Sequence, residues 1–413
     1  MRLEELEVYL ERMLVGHLRQ ASYNVSFTFA ESYLSSYPRP VLGQWFEDRL
    51  HDGPFREVHG GMPNFFENLL PSDMLRRLIK LQHQLDEPTD LDLLAVLGED
   101  LPGATVLRDP RQEVAVGFED APSVLMDSLT DGGPLLRFSL AGLQLKFSLI
   151  KQGEILTLPA TGEHGSWIVK IPVMRDLRGI VENEHTVMNW AREAGFDVPI
   201  CQIIRASQMK GVPHQIDDET AIYSIERFDR VGSQRVHAED LAQALGISSD
   251  NAISSGVRFD YGGLGLIIRS LLGTPGLEQY FRRIALMIAA GNEDAHLKNW
   301  SILYQNGRTP TWSPVYDQVS TVAWGTGRSR GPALAVGAAR YWHELDTLAI
   351  ERFLRQSDFD SMRGLRIIDE TLETLRDAWR TTQGAAQMLA EHRTALSRHW
   401  AATPLLKRFS PLS

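Results

Sequence analysis

Near residue 230 the spacing of apolar residues changes period, and that change divides the chain. Between 124 and 230 the apolar residues fall in short runs separated by turns: LLRFSL, LQLKFSLI, ILTLPA, SWIVKIP, CQIIRAS and AIYSIERF. Runs of this length, bounded by turn residues, read as strands, so a mainly antiparallel sheet with a single helix is expected. After about 235 the spacing becomes that of helices, in HAEDLAQALGI, GLGLIIRSLL, GLEQYFRRIALMIAA, ERFLRQ, ETLETLRDAW and GAAQMLAEHRTAL, interrupted only near 300–322. Upstream, the alternation Leu6, Val8, Leu10 reads as a strand. Ser72 and Asp73 can cap a helix whose apolar side is Met74, Leu75, Leu78, Ile79 and Leu81. LDLLAVLGEDLPGATVL then reads as a short helix ended by Gly98, a turn and a strand, and polar 108–123 as a boundary. The expected fold class is α+β: an N-terminal section over 1–107, a β lobe over 108–230 and a large helical lobe over 231–413.

Composition narrows the function classes. With 413 residues and 43% hydrophobic content the chain can form two or three cored domains without staples. Its single cysteine, Cys201, leaves no intramolecular disulfide and no Cys cluster for zinc, which favours a reducing compartment, the cytoplasm. No basic start with an apolar stretch marks the N-terminus, and no apolar run is long enough to span a bilayer, so a soluble protein is expected. Forty-two Lys+Arg against 53 Asp+Glu give a net charge of −11, which disfavours a broad nucleic-acid surface as the main function.

GNEDAHLKNW, residues 291–300, is a polar segment between the apolar runs RIALMIAA and SILY. WSILY and TWSPVY follow as a hairpin around Asn306-Gly307, and Asp317 closes the series. Phosphoryl transfer needs one Asp to orient and deprotonate the accepting hydroxyl, and an Asn and a second Asp as oxygen ligands of magnesium. Asp294, Asn299 and Asp317 stand in that order, with the spacing of the kinase scheme but without His-Arg-Asp or Asp-Phe-Gly. Loop and cap hydrogen bonds are the plain alternative for Asp294 and Asn299. Lys298 either neutralises the transferred phosphoryl group or is a solvated charge. His296 has no second His at ligand spacing, so it reads as bracing the loop.

Upstream, Lys170 sits inside the strand SWIVKIP, where its ammonium needs a phosphate or a Glu. In VENEHTVMNWAREAGF, Glu184 lies on the apolar stripe of Val187, Trp190, Ala191 and Ala194 while Glu182 does not, so Glu184 is the better partner for Lys170. AIYSIERFDR could present the backbone of Glu226 and Phe228 to an adenine edge, or be a plain connecting strand. No G-x-x-x-x-G-K-[ST] or G-x-G-x-x-G occurs. In FSLAGLQLKFSL the backbone around Ala141 and Gly142, with Gln144 and Lys146, could cradle phosphates, although an ordinary hairpin reads equally well.

Together these segments resemble the HipA family, kinase toxins of bacterial type II toxin–antitoxin modules. NFFENLLPSDMLRR, LLAVLGEDLPGA, SLAGLQLKFSL, WIVKIP, ENEHTVMNWAREAGFDVP, IERFDR, HAEDLAQALG, GNEDAHLKNWSIL and PVYDQVST carry the resemblance over nearly the whole chain. It implies a protein-kinase-like bilobal fold with an extra N-terminal subdomain, use of ATP and Mg2+, and serine/threonine phosphorylation of a protein, an aminoacyl-tRNA synthetase in the best-known members. It also implies a small helix-turn-helix antitoxin as partner, with operator DNA reached only through that complex, and no membrane. By position, Asp294 would be the base, Asn299 and Asp317 the magnesium ligands, and Lys170 the phosphate residue, with Lys298 at the catalytic loop. Ala141, Gly142, Gln144, Lys146, Glu184, Glu226, Phe228 and His296 would complete the ATP site, and Ser139 would be the autophosphorylated loop serine. Leu143 and Leu145 depart from the small residues or Pro usual there. Arg328 and Arg330, where an activation segment would lie, could meet an acidic target, a solvated basic loop being the plainer reading. Two other readings stay open: a small-molecule phosphotransferase on the same scaffold, and an antitoxin-bound co-repressor with a vestigial nucleotide site.

Overall fold

The computed structural model describes residues 3–22, 24–57, 60–71, 76, 79, 88–111, 144–159, 164–172, 177–211, 216–253, 260–325, 330–382, 385 and 387–409. These form two compact units, one of residues 1–174, 204–250 and 301–309, the other of 175–203, 251–300 and 310–413.

The first unit contains two principal sheets. Strands β1 (Glu5–Leu10), β2 (Met13–Ala21), β3 (Asn24–Phe29) and β4 (Thr105–Arg108) form an antiparallel sheet ordered β3-β2-β1-β4. Leu6, Val8 and Leu10 point to one buried face, as the alternation in the sequence predicts. Aromatic residues form the core of this section: Phe27, Phe46, Phe65 and Phe66 are buried, with neighbouring ring centroids 5.0 to 6.2 Å apart. The helix Asp90–Leu97 starts in a capping box between Thr89 and Asp92 and ends at Gly98, leading into β4 as expected. Of the helix expected after Ser72 and Asp73, only Arg76 and Ile79 lie among the described residues, both helical.

The second sheet has β5 (Gln144–Gln152), β6 (Ile155–Thr157), β7 (Trp167–Pro172), β8 (Cys201–Arg205), β9 (Met209–Lys210) and β10 (Ala221–Glu226) in the order β8-β10-β7-β5-β6-β9. β5, β7 and β10 pair antiparallel, and β6 with β9 runs parallel. β11 (Arg230–Val231) and β12 (Gln234–Arg235) make a small antiparallel pair after it.

Two segments fold or group differently from the sequence reading. HAED, expected to be helical, is strand β13 (His237–Asp240), paired antiparallel with β14 (Ser301–Tyr304). The helix begins only at Leu241, where Asp240 caps it by accepting the Gln243 N–H at 2.8 Å. That short helix belongs with the N-terminal section, because Gln243 Nε2 donates to the Phe65 carbonyl at 3.0 Å and Asn64 Nδ2 to the Gly246 carbonyl at 2.8 Å. Conversely, the helix Ile180–Glu193 belongs to the second unit: Trp190 is fully buried, donates its indole N–H to the Leu375 carbonyl at 2.7 Å and packs on Trp379 and Trp400.

The rest of the second unit is the helix Tyr261–Ala290, kinked at Gly273 (φ 66°) just before Pro275, the helices Thr347–Gln356, Ser361–Thr381 and Ala390–Ala402, and the short β15 (Thr311–Trp312). Tyr280, Phe281, Trp300 and Phe353 fill its centre. No helix among the described residues is long and apolar enough to cross a membrane.

Candidate active site

The helix Tyr261–Ala290 ends at Gly291 in the left-handed region (φ 62°), with the Asn292 N–H bonded back to the Met287 carbonyl at 3.0 Å. A Cβ at Gly291 would lie 2.8 Å from Val322 and 3.0 Å from His399, so the close approach requires glycine. The chain therefore leaves a rigid apolar helix at a fixed angle and enters the polar loop.

Within the loop the polar side chains divide into two groups. Asn292 is fully buried; its Oδ1 accepts the Asp294 N–H at 2.9 Å, and its Nδ2 donates to Gln318 Oε1 at 3.2 Å. Glu293 gives its N–H to Thr321 Oγ1 at 2.8 Å, and that hydroxyl donates onward to the Gly291 carbonyl at 3.1 Å. Its carboxylate meets Trp342 Nε1 at 3.0 Å and Arg330 Nε at 3.0 Å. Burial pushes the Glu293 carboxyl above its ordinary range, against the opposing pull of Arg330 and Trp342. His296 is buried, with Nε2 3.8 Å from Asp294 Oδ1.

Asp294, Lys298 and Asp317 are only half-buried. The Asp294 main chain is fixed from both sides: its carbonyl accepts the His296 N–H at 2.8 Å and Asn299 Nδ2 at 2.7 Å. Because the Asn299 NH2 group is committed to a carbonyl, its Oδ1 remains as the oxygen for an outside ligand. The Tyr316 hydroxyl donates to the Lys298 carbonyl at 2.9 Å and so joins the Asp317 segment to the loop. Asp317 itself adopts φ 53°, a left-handed conformation that Asp tolerates better than most residues. β14 and β15 flank the turn in which Gly307 takes φ 77°, where the sequence places a hairpin. Magnesium commonly takes one or two carboxylate or amide oxygens from the protein and the remainder from phosphates and water. The Asp317 carboxylate and Asn299 Oδ1 are donors of that kind, whereas no group of three or more His, Cys, Asp or Glu residues placed to hold a metal ion occurs among the described residues.

In the first unit, Lys146, Lys170 and Tyr223 stand opposite one another across β5, β7 and β10. Lys170 is 4% exposed, its Nζ 5.5 Å from the Tyr223 ring centroid. Glu226 ends β10, opposite Trp167, and is half-buried like Phe228. Glu184 lies in the second unit, wholly buried on its helix, whereas Glu182 is half-buried. Ser139, Ala141 and Gly142 lie outside the described residues, as does Arg328, and of Gln144 only its place in β5 is described.

Sequence reasoning missed Asn183, Thr321, Gln318 and Trp342, and it read Arg330 as a solvated charge or a contact for an acidic target where the structure pairs it with Glu293. Asn183 Oδ1 accepts the Ser320 N–H at 2.8 Å, tying its helix to the segment after Asp317. It also missed the use of IERFDR. Arg227, Asp229 and Arg230 are buried in an ion network with Asp100, whose carboxylate lies 2.9 Å from Arg227 and 3.0 Å from Arg230. A motif of two arginines and an aspartate at the end of a buried strand was the available signal, because such charges need partners.

Two family models match the chain in order, one described as the HipA N-terminal domain at residues 6–108 and one as the HipA-like C-terminal domain at 138–379. Two Sinorhizobium fredii proteins are similar over nearly their whole length. The one named "Putative kinase Y4dM" is 32% identical over 391 residues, 93% of each chain, and the other, Y4mE, is 27% identical over 415 residues, 95% of this chain and 93% of its own. Among solved structures, HipA of Shewanella oneidensis, determined with HipB and operator DNA, superposes with a TM-score of 0.73 at 17% identity, covering 98% of this chain and 96% of that one. That likeness shows the shared α+β fold. With both models matched in sequence order and 32% identity to a relative along 93% of its length, the chain belongs to the HipA family.

Proposed function

We propose that the chain is an ATP- and magnesium-dependent serine/threonine protein kinase, the toxin of a HipA-type toxin–antitoxin pair. The observation that carries this reading is the construction of the 291–300 loop. Asn292 holds the Asp294 N–H and Gln318, Glu293 holds Trp342 and Arg330, and Asn299 holds the Asp294 carbonyl, so that the loop fixes the main chain of one half-buried aspartate, with a second, Asp317, on the segment that Tyr316 joins to the loop. A loop that served only as a connection would have no use for that construction.

In this reading Asp294 accepts the proton of the target hydroxyl through a carboxylate oxygen and orients it for in-line attack. Asn299 Oδ1 and the Asp317 carboxylate would hold magnesium, which when bound supplies positive charge to the phosphoryl oxygens. Lys298 adds charge near the transferred group, Lys170 and Lys146 bind phosphates, and Glu226 and Phe228 meet the adenine. Ser139 would be phosphorylated by the enzyme itself. The two Sinorhizobium relatives named as kinases support the reaction class, and the solved HipA–HipB–DNA complex supports an antitoxin as partner, by resemblance a small helix-turn-helix protein. A cytoplasmic protein target, by resemblance an aminoacyl-tRNA synthetase, completes the proposal.

The test is incubation of the purified chain with γ-labelled ATP, magnesium and a bacterial lysate. Wild type labels a protein and itself, and Asp294→Asn labels neither. The proposal fails if wild type neither binds ATP nor transfers label, or if Asp294→Asn labels equally well. Label recovered on a metabolite instead of a protein would make it a small-molecule phosphotransferase.

A further inference from the structure

We propose that Glu293 is a positioning residue through which the segment 330–342 sets the geometry of Asp294, with Arg330 as the controlling contact. This rests on Asp294 acting as the base of the proposed kinase.

The geometry places three independent bonds on one residue. Glu293 Oε2 is 3.0 Å from Arg330 Nε, Oε1 accepts the Trp342 indole N–H at 3.0 Å, and its backbone N–H is held by Thr321 Oγ1 at 2.8 Å. The two partners are also joined through their backbones, because the Trp342 main-chain N–H donates to the Arg330 carbonyl at 3.0 Å. Arg330 Nη1 also reaches the Thr321 carbonyl at 3.3 Å, so both sides of the Glu293 clamp converge on residue 321. Two glycines make room for this: a Cβ on Gly325 would run into the Arg330 guanidinium, and one on Gly331 into the Arg340 carbonyl. Trp342 is anchored in turn by an edge-to-face contact with His399, 4.9 Å between ring centroids, and His399 is bonded to the Ile288 carbonyl at 2.7 Å, in the last turn before the loop.

Glu293 immediately precedes Asp294, so a rotation of its backbone is transmitted directly to the base. Where protein kinases have Arg before the catalytic Asp, this chain has Glu, and its partner is an arginine of its own later segment. The consequence is a charge pair, 34% and 14% exposed at its two ends, that anything engaging 330–342 can make or break. A protein substrate docking there would thus be read at Asp294.

Two measurements decide it. Amide hydrogen exchange on Arg330→Met is expected to be about tenfold faster at 293–296 than in wild type, with the helix ending at Ala290 unchanged. Unaltered exchange at 293–296 overturns the coupling whether or not the protein is a kinase. In the labelling assay, Arg330→Met and Glu293→Gln are each expected to lower kcat roughly 10- to 100-fold while leaving the KM for ATP within about twofold, and the double variant to be no worse than either single one. Arg330→Lys should restore part of the rate. If wild type labels but the single variants keep its kcat, change only KM, or lose activity additively, the positioning role falls while the kinase reading stands. If wild type labels nothing, both fall.

Discussion

Replacing Asp229 by Ala should unfold the first unit at markedly lower temperature without touching the 291–300 loop. Asp229 Oδ1 accepts Arg227 Nε at 2.9 Å, and Oδ2 accepts Arg227 Nη2 at 2.8 Å and the Gly103 N–H at 2.7 Å. Arg230 Nη1 adds a contact at 2.9 Å. The side chains of Arg227 and Arg230 are 4% and 1% exposed, so without Asp229 two buried guanidinium groups share the single carboxylate of Asp100, itself 21% exposed. Breaking one partner out of a buried ion pair costs about 3–5 kcal/mol, because the remaining charge stays desolvated. For a unit of this size that is a Tm loss of roughly 10 °C.

A second estimate comes from protonation. Burial alone would raise the Asp229 carboxyl, but Arg227 and Arg230 overcome it and hold the group at about 2, against 3.8 ordinarily. A difference of about 1.8, from 3.8 − 2, corresponds to roughly 2–3 kcal/mol. The folded value lies below the unfolded one, so this stability is fully present above about pH 4 and is lost as pH falls through about 2. The assay is calorimetric unfolding of wild type, Asp229→Ala and the double variant Arg227→Met/Asp229→Leu at pH 7, and of the first two down to pH 2. The double variant should lose less than the sum of its single changes, since it leaves fewer stranded charges. A Tm for Asp229→Ala within about 2 °C of wild type, or an acid dependence unchanged by the substitution, would show that Asp229 does not hold the two guanidinium groups in the folded unit.

Glu239 is wholly buried, accepts the Gln44 N–H at 2.9 Å and the Tyr304 hydroxyl, and burial pushes its carboxyl up to about 8. Its folded value lies above the unfolded one, so stability falls as pH rises from about 4.5 to 8; Glu239→Gln should flatten that slope and melt above wild type at pH 8.5 in a pH series. Asp317→Asn should keep the fold within about 0.5 kcal/mol, because Asn also accepts the left-handed conformation, yet abolish labelling. Gly291→Ala should cost about 1–3 kcal/mol by thermal melting, through its positive φ and the collision with Val322, and should lower labelling as well.

The strands were legible where one face is buried. Leu6, Val8 and Leu10 announce β1 because alternate residues must face the core, and the run SWIVKIP is β7 for a related reason. HAED was not legible, because four residues fit either period and β13 exists only through its pairing with β14 some sixty positions later. The helix Ile180–Glu193 was legible as a helix, including the burial of Glu184 over Glu182, but its allegiance to the second unit depends on Leu375, Trp379 and Trp400. Arg330 read as a solvated charge for the same reason. Nothing near it in the chain is acidic, and its partner lies thirty-seven positions upstream.

The loop itself was legible as an anomaly before it was legible as a device. A polar run between two buried segments must either be solvated or find partners inside, because each unsatisfied buried group costs about 1–3 kcal/mol. Here the partners are Gln318, Thr321, Arg330 and Trp342, together with the loop's own backbone. Their combined effect falls on one residue. The Asp294 N–H is held by Asn292 Oδ1, and its carbonyl by the His296 N–H and Asn299 Nδ2. Both backbone groups of Asp294 are therefore committed, and its carboxylate, 18% exposed and 3.8 Å from His296 Nε2, is carried on a fixed main chain. Asn292, Glu293 and Asn299 are thus the structural conditions under which a single carboxylate can be aimed, and a change at any of them should move Asp294 before it unfolds anything else.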